Sequence, residues 1–174
     1  MINQFMQFFN SKNVVSVFCD RNNPDKHLTG FIERYSESEL RIKHVSADGW
    51  YDGYILIHVD DVYRIDTDGQ YEKKIQKLYS YKKQIHPELP ASSNLRDSLL
   101  DYCQTQKLVI SLELVDCILS GLLLYYDNSI IQLKVIDDNG RFDGESVVDI
   151  NEVISFAVDT STEQNILILS LSGN

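Results

Sequence analysis

The 174-residue chain carries 26 acidic and 16 basic residues, a formal net charge of −10 that falls in its second half, whose surface repels polyanions. Hydrophobic residues are 43% and charged residues 24%, proportions of a globular protein rather than a disordered or fibrous one. Cys19, Cys103 and Cys117 are odd in number and lack CxxC or other ligand spacing, which argues against a disulfide framework and for a reducing compartment, the cytoplasm.

Ile2, Phe5, Met6, Phe8 and Phe9 are spaced by three and four residues, which predicts a short amphipathic helix with no basic leader of a secretory signal. Strands are predicted over 14–18, 28–35, 40–45 and 54–59, where β-branched and aromatic residues concentrate. Asp48-Gly49 is a hairpin dipeptide, and Asp52-Gly53 predicts a bulge or second corner at positive φ. A one-turn element at 60–62 and a fifth strand at 63–65 follow. Residues 71–83 are ambiguous, because Tyr71, Ile75, Leu78 and Tyr79 have helical spacing but the corresponding later segment does not. Pro87 and Pro90 mark a linker over 84–93.

The pattern then starts again. Asn94 is a good N-cap for a helix carrying Leu95, Leu99, Leu100 and Tyr102. Shifted by 91 positions, residues 28–78 lie over 119–169 without a gap. Gly30, Lys43, Gly49, Asp52, Gly53, Val62, Asp68, Glu72 and Ile75 meet Gly121, Lys134, Gly140, Asp143, Gly144, Val153, Asp159, Glu163 and Ile166. One long period repeated once predicts two copies of a small domain, 1–83 and 94–174, rather than a solenoid. In the second copy Ile166-Leu167-Ile168-Leu169 reads as strand. The apolar run 108–126 holds Glu113 and Asp116, which excludes a membrane span and suits two strands. Charge separates the copies: residues 1–87 hold 12 basic and 12 acidic residues, residues 88–174 hold 4 and 14.

A helix followed by five short strands predicts a mainly β protein of two tandem five-stranded barrels of the Sm/SH3-like type, closed so that no edge is exposed. The second copy has Gly121, then Asp127, then Ile130-Ile131-Gln132; the first has Gly30, then Ser36, then Glu39-Leu40-Arg41. In this pattern the chain resembles the Sm-like family, whose strand-two glycine, following aspartate and strand-three triplet fall at these places. The resemblance implies a small barrel and RNA binding, but the family's RNA-contacting asparagine is replaced by Ile131 and Leu40. The stretch 52–65 is also similar to segments of bacterial proteins that bring no function with them.

Among candidate sites, His27, His44, His58 and His86 all lie in the first copy without the spacing of a zinc site, and Asp66-Thr67-Asp68-Gly69 with Glu72 departs from a calcium loop. No metal or cofactor is expected. There is no GxSxG elbow, Walker loop or GxGxxG, so no catalytic residue stands out and enzyme is the weakest class. The segment with Lys73, Lys74, Lys77, Tyr79, Tyr81, Lys82 and Lys83 mixes cations with aromatic rings, as a single-stranded nucleic-acid surface does. Its ordinary alternative is a solvated lysine face with tyrosines packed inward. The expected function is therefore a non-catalytic protein-binding or assembly module, possible as a homo-oligomer and without membrane association; RNA or single-stranded nucleic-acid binding through the lysine–tyrosine segment is the alternative.

Overall fold

A computed structural model describes residues 12–90 and 92–172, so the helix predicted from Ile2 lies outside the described residues. The chain divides into two compact units, Met1–Pro87 and Glu88–Asn174. The first contains β1 (Val15–Phe18), β2 (Leu28–Tyr35), β3 (Glu39–Val45), β4 (Tyr51–His58), a 3-10 turn at Val59–Asp61, β5 (Arg64–Thr67) and α1 (Gln70–Tyr81). The second contains α2 (Leu95–Gln106), β6 (Val109–Glu113), β7 (Ile118–Tyr126), β8 (Ile130–Ile136), β9 (Phe142–Asp149), a 3-10 turn at Ile150–Glu152, β10 (Ser155–Val158) and α3 (Ser161–Ser172). From β3 onward, every element of the second unit starts 91 residues after its counterpart.

Within each unit the strands are antiparallel, in the order β5-β1-β2-β3-β4 and β10-β6-β7-β8-β9. This corrects the expected closure. Among the described residues no ladder joins β4 to β5 or β9 to β10, so neither unit closes on itself as a hydrogen-bonded barrel. A helix covers one sheet face instead. Ile75 of α1 packs with Val14 and Val45, flanked by Phe31, Tyr71 and Tyr79; Ile166 of α3 packs with Val109 and Ile136, flanked by Leu122 and Leu167.

The helix α3 also corrects the strand expected from 162 onward, and α1 resolves the ambiguity over 71–83. Both helices begin after a left-handed aspartate, Asp68 and Asp159, each at φ 59°. Glu163 then closes a capping box, accepting the Thr160 N–H at 3.0 Å and the Thr160 hydroxyl. Its other oxygen accepts from Ser111 Oγ of β6 at 2.6 Å, with the carboxylate buried. Glu72 does the same in the first unit, accepting from Ser16 Oγ of β1 at 2.5 Å. Each such charge-assisted bond stabilises by roughly 1.5–3 kcal/mol, enough to override the β propensity of an Ile-Leu-Ile-Leu run.

The glycines mark where chain must approach chain. Gly53 and Gly144 sit at φ 70° and 82°, where β4 and β9 each carry an extra residue opposite β3 and β8. The sequence expectation of a bulge at these corners matches that geometry. A side chain at Gly121 would put Cβ 2.3 Å from the Lys134 carbonyl oxygen, whereas one at Gly144 would meet nothing within 4 Å. Gly121→Ala must therefore displace backbone, while Gly144→Ala meets only the conformational cost of about 1 kcal/mol. The expected result is a clearly larger loss of melting temperature for Gly121→Ala, read by circular dichroism; equal losses would contradict this packing.

Candidate functional site

The lysine–tyrosine segment is not one surface. Lys73, Lys74, Lys77 and Lys83 are exposed, and Tyr81 is 85% exposed at the end of α1. Lys74 lies over the Tyr71 ring at 5.3 Å. Lys82 donates to the Asp48 carbonyl at 2.6 Å and sits 4.1 Å above the half-exposed Trp50 ring. Tyr79 turns inward, 5.2 Å from Phe31. The structure thus brings four exposed lysines to α1 and its C-terminal end, but removes Tyr79 from any stacking platform.

Residues 84–87, expected to be linker, pack back on the first unit as a strap. Gln84 Oε1 accepts from the Tyr51 N–H at 3.1 Å, and the Pro87 carbonyl accepts from the Tyr54 hydroxyl. Between them His86 is 5% exposed, with ring centroids 4.6 Å from Tyr51, 5.5 Å from Tyr54 and 5.7 Å from Tyr79. His86 Nε2 lies 2.8 Å from the His44 carbonyl oxygen, which can only accept, so Nε2 carries the proton. Nδ1 then accepts from the Tyr79 hydroxyl at 2.8 Å. Burial pulls the His86 imidazole from 6.5 down to about 4, its carbonyl contacts with His44 and Gly53 opposing and the nearby Lys43 charge assisting.

A cavity of about 340 Å³ opens beside this region, lined among others by His27, His44, Asp52 and Tyr71. His44 Nδ1 is buried 3.1 Å from Asp52 Oδ2 without an aligned hydrogen bond, and His27 Nδ1 meets the Asp25 carbonyl oxygen at 3.1 Å. The second unit has Ile118 and Val135 at the positions of His27 and His44. No group of three or more His, Cys, Asp or Glu among the described residues is arranged to hold a metal ion. None of the three cysteines is in a disulfide, and burial pushes the Cys103 thiol up to about 12, an unreactive state in which it donates to the Leu108 carbonyl.

The positions that carry the Sm-like resemblance make turns and core. Asp127 accepts from the Ser129 and Ile130 N–H groups at 2.7 and 2.9 Å, which holds its carboxyl below the usual range. Ser36 takes the same place in the first unit, accepting from Ser38 and Glu39. Leu40 and Ile131, where the family's RNA-contacting residue would fall, are 1% and 0% exposed.

The surface that sequence reading missed is on the second unit. Ladder partners share a face, so Gln132 with Val147, Lys134 with Glu145 and Ile136 with Phe142 align on one side of β8–β9. The 3.0 Å bond from Gln132 to Glu145 and the Lys134 ammonium 3.8 Å from the Phe142 ring lie on that side. Phe142 is 55% and Val147 61% exposed. Their first-unit counterparts are Tyr51, which His86 covers, and Leu56, which is 1% exposed. Beyond the β8–β9 turn, α3 leaves Ile168, Leu169 and Leu171 exposed where α1 has Lys77, Leu78 and Ser80. The readable signal was the mismatch between copies, Tyr54 against Glu145 and Tyr79 against Ser170.

No described helix is long and apolar enough to cross a membrane. No protein-family model and no curated protein matches the chain.

The strap makes a pH test. The depressed His86 value means its contribution to stability is complete above 6.5 and is lost as pH falls toward about 4, where the imidazole takes up its proton. That loss is at most about 3 kcal/mol. Urea midpoints at pH 7 and pH 4.5 for the wild type and His86→Gln should show the smaller pH-dependent drop in the variant. Identical drops would mean that His86 is not held neutral.

Proposed function

We propose that the protein is a non-catalytic interaction module that binds another protein through the outer face of β8–β9 in the second unit. One observation carries this: Phe142 and Val147 are exposed on one face, whereas their first-unit counterparts are not, Tyr51 lying under the chain's own strap and Leu56 being 1% exposed. Scattered exposed apolar residues are ordinary, but apolar side chains aligned on one sheet face and rimmed by carboxylates are the pattern of a docking surface. The shared element order at a spacing of 91 residues supports reading the units as an internal duplication. Gly30 with Ser36 and Gly121 with Asp127 favour a small β fold of Sm/SH3-like kind for both copies. A photo-crosslinking residue at Val147 should join a discrete protein in cell extract, survive nuclease treatment, and lose the product when Phe142→Asp is added. The same residue at the exposed Ile85 should not join it. Equal labelling from both positions would refute the reading.

A second reading, single-stranded nucleic-acid binding, is favoured by the four exposed lysines and the exposed Tyr81 of α1 and its C-terminal end, with Lys82 over the half-exposed Trp50 ring. The acidic second unit and the buried Leu40 and Ile131 oppose it. Titrating mixed-sequence single-stranded RNA at low salt against the fluorescence of Trp50, the chain's single tryptophan, decides it. This reading requires a saturable change that disappears when Lys73, Lys74 and Lys77 become glutamate, with a log–log salt slope near 0.7 per contact. No change at high micromolar protein removes it.

A further inference from the structure

We infer that the β8–β9 face of the second unit receives an extended, basic segment of a partner protein, with a ring side chain set between cationic residues. This rests on the protein-binding reading above and names the kind of partner. The template is in the chain itself. After the turn made by Lys82 and Lys83 at the end of α1, residues 84–87 of the first unit, Gln-Ile-His-Pro, run over β4, with the His86 ring enclosed by Tyr51, Tyr54 and Tyr79, while the Lys82 ammonium rests on Trp50.

The second unit keeps the floor of that arrangement and changes its walls. Phe142 stands at the position of Tyr51, so a platform for a ring remains, 55% exposed. Ser170 stands at the position of Tyr79, so the aromatic side chain that closes the first unit's ring site is missing. Val135 stands at the position of His44, and its carbonyl lies at the same place in the β7–β8 pairing, opposite Gly121 as His44 is opposite Gly30. The preference for charge comes from Glu145, which replaces the uncharged Tyr54, together with Asp149 on the same side of β9. Lys134 is the one cation on the β8–β9 pair, and its ammonium already rests on the Phe142 ring. Two carboxylates on the face of a strand without a cation attract a positive segment and repel nucleic acid, and they repel the same face of a second copy. A cationic chain bearing a ring satisfies both features: stacking on Phe142 and charge pairing along β9.

The test is selection of random twelve-residue peptides displayed on phage against the full chain, with depletion on the Phe142→Asp variant. Enriched peptides should be net positive with Phe, Tyr, Trp or His between Lys or Arg. The best of them, synthesised with a fluorophore, should lose at least about tenfold in affinity on Phe142→Asp and on the milder Val147→Ser, and nothing on Ile85→Asp. Its affinity should also weaken as salt rises from about 50 to about 300 mM. Circular dichroism melts of each variant separate loss of binding from loss of fold. Failure to enrich, enrichment without positive charge, or binding indifferent to residues 142 and 147 overturns the inference, as does sedimentation showing that a second copy occupies the face. If peptides fail while crosslinks from Val147 persist, the interaction reading survives with a folded partner surface. If both fail, both fall.

Discussion

Two buried carboxylates, Glu72 and Glu163, fix the position of everything else that could act in this protein. Each sits at the third position of its helix, and each bonds a serine on the first strand of its unit, Ser16 or Ser111. Ser111 also shares a 2.8 Å hydroxyl contact with Ser120 of β7, so the lock reaches across two strands. A buried carboxylate is costly unless its lone pairs are satisfied, and loss of its partners would leave an uncompensated charge. The helix therefore has one seat on the sheet. From that seat α1 presents its lysines and turns Tyr79 toward the strap, while α3 leaves apolar side chains in solvent.

The same frame carries two different surfaces. In the first unit Arg41 and Glu33 pair at 2.5 Å on the sheet, and His86, Tyr51, Tyr54 and Tyr79 form a closed aromatic cluster. In the second unit the corresponding residues are Gln132, Leu124, Phe142, Glu145 and Ser170. Aromatic packing and a satisfied imidazole consume one face in its own unit's stability, whereas on the other Phe142 and Val147 stay exposed. From β3 onward the two units share one order of elements, yet one half of the chain is neutral and the other carries a net charge of −10.

Sequence reading reached the backbone plan more readily than the surfaces. Gly30 and Gly121 and the two Asp-Gly corners were legible, because steric exclusion and positive φ leave few residue choices. Helix α3 was misread, since alternating Ile and Leu matches a strand, yet Thr160 followed by Glu163 is a capping signal that local hydrophobicity masked. Barrel closure was inferred from strand count, and the helices that cover the sheet face made closure unnecessary. The strap was read as linker because prolines punctuate it, whereas His86 is buried by contacts with residues far away in sequence. The β9 face was illegible for a related reason. Its exposure depends on what fails to cover it, and only alignment of Glu145 with Tyr54 and Ser170 with Tyr79 hinted at that difference.

The central claim is that the first unit's face is sealed and the second unit's is open in the free chain. Hydroxyl-radical footprinting with mass spectrometry reads this directly at single side chains. The account requires fast oxidation of Phe142 and slow oxidation of Tyr51 and Tyr54, with rates independent of protein concentration. Protection of Phe142 matching that of Tyr54 would contradict it.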